Sequence, residues 1–119
     1  MIARFLMLCA IGFAPLSMAG EADVVDATIQ AVSNTSFRVN ATIRHGDTGW
    51  NHYADAFDVL DEQGKVLGTR ILHHPHVDEQ PFTRGLTLTI PEGVRRVTIR
   101  ARDSLHEYGG KAFVLDVPR

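Results

Sequence analysis

Ser36-Phe37-Arg38-Val39-Asn40-Ala41-Thr42-Ile43-Arg44 decides the fold class. Phe37, Val39, Ala41 and Ile43 alternate with Arg38, Asn40, Thr42 and Arg44. Successive side chains of an extended chain point to opposite faces, so this segment reads as a strand with one buried and one wet face. No segment after residue 19 shows the three- and four-residue apolar spacing of a helix. On the N-terminal side, Val25, Ala27, Ile29 and Ala31 alternate with polar residues, and Ser33-Asn34-Thr35 turns the chain. On the C-terminal side, Gly46-Asp47-Thr48-Gly49 breaks it, and Trp50–Leu60 reads as a third strand. Both parities of that strand carry apolar groups, which predicts a bulge or burial on both faces.

Asp61-Glu62-Gln63-Gly64-Lys65 is a hairpin turn into Val66–Leu72. Phe82–Ile90 alternates again, Pro91-Glu92-Gly93 turns, Val97, Ile99 and Ala101 mark a sixth strand, and Phe113, Leu115 and Val117 a seventh. Seven strands with turns at roughly ten-residue intervals predict an all-β sandwich. Ordered A, B, C, C′, E, F and G, it would be immunoglobulin-like or fibronectin-III-like. The expected interior is Phe37, Val39, Ile43, Leu86, Leu88, Val97, Ile99, Phe113 and Leu115. Trp50 is expected as a core plug on strand C, where sandwiches commonly bury a large aromatic.

Residues 1–19 read as a signal peptide. Arg4 precedes the apolar run Phe5–Ala14, too short to span a bilayer, and Ser17-Met18-Ala19 places small residues before a cleavage site after Ala19, or after Gly20. Leu8 precedes Cys9 where a lipoprotein leader needs a small residue. The mature chain, 20–119, is expected to be one domain, periplasmic or secreted, without a membrane span. It holds no cysteine, so neither a disulfide nor a thiolate ligand is available to it. Eleven Lys and Arg remain against fourteen Asp and Glu, a formal charge of −3 that gives no reason to expect nucleic acid as a partner.

His73-His74-Pro75-His76-Val77-Asp78-Glu79-Gln80-Pro81 gathers three imidazoles and two carboxylates. Neutral imidazole is the commonest protein ligand of zinc and copper. In the expected topology the B–C, C′–E and F–G connections share one pole. That pole would hold all six histidines: His45 and His52 from B–C, His73, His74 and His76 from C′–E, and His106 from F–G. A metal site would then draw on His74, His76 and His106, with His73 beside them, His52 or His45 completing the nitrogens, and Asp78 or Glu79 supplying oxygen. Without sulfur ligands, zinc or copper(II) suits it best. The alternative is a set of exposed loop histidines with no shared ligand.

Nothing marks an enzyme. Ser104 and His106 are too close in sequence for a triad, and there is no Gly-x-Ser-x-Gly elbow. A second class of function is an envelope assembly module that binds a protein partner through the same pole, with Trp50, Tyr53, Phe82 and Tyr108 as its contact surface. Arg96, Arg100 and Arg102 form a stripe on the outer face of the sixth strand, expected to pair with Asp55 or Asp58 on the third.

Gly49-Trp50-Asn51-His52-Tyr53-Ala54-Asp55, His74–Arg84, Arg100-Ala101-Arg102-Asp103-Ser104 and Tyr108-Gly109-Gly110 together resemble a family of small exported bacterial proteins. The resemblance covers most of the mature chain. It implies an exported β-domain and carries no activity, substrate or ligand.

Overall fold

The computed structural model describes residues 20–119; the signal-peptide expectation for residues 1–19 lies outside them. Seven strands run in order: β1 (Asp23–Ala31), β2 (Ser36–Arg44), β3 (Ala54–Leu60), β4 (Val66–Ile71), β5 (Phe82–Thr89), β6 (Arg96–Asp103) and β7 (Phe113–Asp116). They form two antiparallel sheets, β1-β2-β5 and β4-β3-β6-β7, and no helix is present among the described residues. The all-β sandwich follows from alternation: each sheet can bury one face only against the other.

The core lies between the sheets. Phe37, Val39, Ala41 and Ile43 from β2 face Phe57 and Val59 from β3 and Val97, Ile99 and Ala101 from β6, all buried. Of the expected interior, Leu88 is buried with them, while Leu86, Phe113 and Leu115 pack against the cluster half-buried. Burying each Phe or Ile fully stabilises the fold by about 1.5–3 kcal/mol.

β3 is buried on both faces from Ala56 to Leu60, and its pairing with β6 slips between Ala54 and Ala56, which accounts for its mixed parity. One outward residue, Asp58, is covered by Thr69, Arg100 and Tyr108, which all hydrogen-bond to it. The arginine stripe divides. Arg100 pairs with Asp58 and Arg102 with Asp55, but Arg96 pairs with Asp116 on β7. The β3–β4 turn is tied by Asp61, whose carboxylate accepts the Gln63 and Lys65 amides, and Gly64 supplies its positive φ of 84°.

Trp50 is not a core plug: it is 67% exposed, with its ring edge-on to Tyr53. The third strand begins at Ala54, not Trp50. A tight turn, in which the His52 amide donates to the Gly49 carbonyl and the Thr48 amide to the His52 carbonyl, holds Trp50 out of the sandwich.

Candidate metal centre

The antiparallel order brings three chain segments to one pole. β2 ends at Arg44 opposite Asp23, so the start of the described chain lies beside the β2–β3 connection. β6 ends beside it too, because Asp103 pairs with Ala54 at the start of β3. His45 continues the inward series 37, 39, 41, 43 of β2, and Asp103 continues the inward series 97, 99, 101 of β6. Both are therefore carried to the mouth of the core with no exposed side-chain surface.

Five donor atoms meet there. Asp103 Oδ2 lies 3.0 Å from His45 Nε2, 2.7 Å from His52 Nε2 and 3.0 Å from His106 Nδ1. The Gly20 carbonyl oxygen lies 2.9, 3.0 and 2.9 Å from the same three nitrogens. His45 Nε2 and His52 Nε2 are themselves 3.2 Å apart. These are seven contacts among five atoms. A ring nitrogen brings at most one hydrogen, and a carbonyl or carboxylate oxygen brings none, so three protons at most serve all seven. A cation among His45, His52 and Asp103 would satisfy their lone pairs together. Ligands bound at 2.0–2.2 Å and at right angles to one another stand about 3 Å apart, close to the 2.7–3.2 Å of these contacts.

The supports are as specific as the donors. Asp47, also buried, lies 2.5 Å from His45 Nδ1 and accepts its proton, which leaves the Nε2 lone pair turned to the centre. The same carboxylate accepts the amides of Ala54 and His76. Asp103 Oδ1 accepts the His106 amide across a one-turn loop, and that turn swings the His106 ring over Oδ2. The loop is pinned to the β2–β3 connection by Ser104, which donates its amide to the Tyr53 carbonyl and accepts the Tyr53 amide at its hydroxyl. His52 and His106 are partly open to solvent, so the centre faces outward on that side.

Burial pushes the Asp103 carboxyl up, but hydrogen bonds from His106, His52 and the His106 amide outweigh it and hold the group down to about 2. Its contribution to apo stability is thus fully present above its ordinary value near 3.8 and is lost as pH falls toward 2. The hydrogen bond to Asp103 raises His106 above its ordinary value despite some desolvation.

The expected ligands divide. His52 and His106 stand in the cluster with His45. His73, His74, His76 and Asp78 do not: His73, His74 and Asp78 are exposed, and His74 Nδ1 faces the Pro75 carbonyl. His76 is buried, stacked on Phe82 with centroids 3.9 Å apart, and its Nε2 accepts a hydrogen bond from Arg84. Its role is support. The His76 amide is held by Asp47, and Gln80 accepts the His45 amide while donating to the His76 carbonyl. The segment richest in histidine thus braces the centre from behind. Asp103, Asp47 and Gly20 are not among the expected ligands; for Asp103 the visible signal is an ionisable residue continuing an inward strand series, and Asp47 and Gly20, outside the strands, carry no such signal.

Burial first, then Arg84 and His74, lower the His76 pKa. A lowered histidine leaves stability complete above about 6.5 and removes it as pH falls from there toward the folded value, because the unfolded chain takes the proton first. His76→Gln keeps an acceptor for Arg84 and cannot titrate. In chelator-treated protein its melting temperature should fall less than the wild type's between pH 7.5 and 5.5; equal falls would show that His76 contributes none of the acid sensitivity.

No protein-family model matches the chain. A protein of Halomicrobium mukohataei described as a "Putative lipoprotein" is 42% identical over 96 residues, a match covering 81% of this chain and 47% of that protein. The chain therefore spans about half the length of that relative. Among solved structures, a superoxide reductase (neelaredoxin) from Ignicoccus hospitalis is similar at a TM-score of 0.50, over 82% of this chain and 80% of that one. At 13% identity this is a likeness of fold.

Proposed function

We propose that this chain is an exported, metal-binding β-domain of the cell envelope, in which His45, His52, His106, Asp103 and the Gly20 carbonyl hold one divalent cation. The carrying observation is the convergence of His45, His52 and Asp103, whose ligand atoms lie within 4.8 Å of one another and two of whose side chains are fully buried, with His106 and the Gly20 carbonyl bonded onto them and too few protons to satisfy all the contacts. Three imidazoles with two oxygens and no sulfur suit zinc or copper(II). The name of the Halomicrobium mukohataei relative supports an envelope location. The strand order, β1-β2-β5 against β4-β3-β6-β7, supports reading the sandwich as fibronectin-III-like. We assign no reaction to the centre.

Calorimetric titration with zinc and copper(II) tests the site. Wild type should bind one ion. His45→Ala, His52→Ala and Asp103→Ala should each weaken binding by more than the roughly 10–100-fold typical of losing a supporting partner. His73→Ala and His74→Ala, which touch none of the five donors, should leave it unchanged. Binding that survives the first three substitutions and disappears with the last two would return the site to the His73–His76 loop.

A second reading has its own observation. Trp50, Val77 and Leu105 are exposed in the three connections of this pole, an arrangement that suits a protein partner. Association lost in Trp50→Ala with metal binding retained would favour it.

A further inference from the structure

Gly20 contributes a donor that belongs to no side chain, and the molecule places it with care. A Cβ there would stand 2.8 Å from His106 Cε1, so any side chain at this position would push the His106 ring aside. The residues that follow are fastened. Ala22 is buried, the Val24 amide donates to the Lys111 carbonyl, and the Lys111 amide donates to Asp23. Gly20 is also the residue that the Ser17-Met18-Ala19 pattern puts first after signal cleavage.

From these two facts we infer that signal cleavage completes the metal centre: hydrolysis of the Ala19–Gly20 bond frees an α-amine that joins the Gly20 carbonyl as a chelating pair. The inference rests on the metal-binding reading above. In the cleavage a signal peptidase directs water onto the Ala19 carbonyl carbon. The C–N bond breaks, Ala19 leaves as a carboxylate, and the nitrogen stays on Gly20 as an amine. Before cleavage that nitrogen is an amide, its lone pair delocalised into the Ala19 carbonyl and unavailable to a cation. After cleavage it is a localised donor on the same Cα as a carbonyl already at the centre, and the two close a five-membered ring on one ion. Tight binding then belongs to the processed chain, and the precursor carries a weaker site.

The test compares three forms of residues 20–119: a free Gly20 amine, the same chain preceded by Met18-Ala19, and the free-amine chain with Gly20→Ala. The probes are zinc chloride and copper(II) chloride, with dissociation constants from chelator competition and melting temperatures in EDTA as the folding control. Copper(II) spectroscopy reports the number of coordinated nitrogens. We expect the free-amine form to bind at least tenfold tighter than the extended form, with one more coordinated nitrogen, while the two melt alike in EDTA. Gly20→Ala should also bind more weakly, because its methyl group displaces His106. Equal affinity and nitrogen count in the free-amine and extended forms would overturn this inference and leave the side-chain site standing; no binding by any form would overturn the metal reading itself. Amino-terminal sequencing of protein from the producing cell should begin at Gly20. A start at Glu21, or at a lipidated Cys9, would remove the amine from the centre and end the proposal.

Discussion

Asp47→Ala is expected to lose about 3 kcal/mol or more of folding stability and to weaken metal binding roughly 10–100-fold. The carboxylate is fully buried and accepts three hydrogen bonds, from His45 Nδ1 and from the amides of Ala54 and His76. Its removal leaves three buried donors without a partner, at about 1–3 kcal/mol each. It also frees the His45 ring to turn or change tautomer, which removes the directed Nε2 lone pair. Urea unfolding with EDTA present isolates the stability loss, and titration of the folded variant with zinc isolates the affinity loss. A variant as stable as wild type would mean that water reaches these donors and that Asp47 is not the support described.

The second large effect belongs to the core. Phe57 lies on β3, with β4 and β6 on either side, and is fully buried. Phe57→Ala should destabilise the domain by about 3–5 kcal/mol, from lost burial and from a cavity between sheets that cannot close around it. A domain of this size has about 5–15 kcal/mol in all, so the variant should be largely unfolded well below the wild-type melting temperature. It should recover part of that loss when zinc is added, since binding to the folded state alone draws the equilibrium toward it. A loss under 1 kcal/mol would contradict the burial assigned to Phe57.

These two substitutions probe different parts of one framework. The inward series of β2 and β6 run through the apolar core and end in His45 and Asp103, so the sandwich that holds Phe57 also aims the candidate ligands. A site built at the ends of core strands is held by the packing of the whole domain, and the loops need only bring His52, His106 and Gly20 to it.

Strict alternation in Phe37–Ile43, Leu86–Ile90 and Val97–Ala101, punctuated by Gly, Pro and Asx turns, determined the all-β sandwich, because a period of two leaves each strand one buried face. The crowding of histidines at one pole was readable as well, since antiparallel strands send alternate connections to the same end. The membership of the centre was decided only in three dimensions. His76 looked like a ligand beside His74, yet its stacking on Phe82 and its bond from Arg84 make it a brace. Trp50 looked like core until the Gly49–His52 turn delayed β3 to Ala54. Gly20, 25 residues from His45 and 86 from His106, reaches them because β1 pairs antiparallel with β2 and its start is fastened beside Lys111. Local periodicity records which face of a strand is buried; which distant atoms share a point depends on strand pairing and loop closure, and no local pattern encodes those.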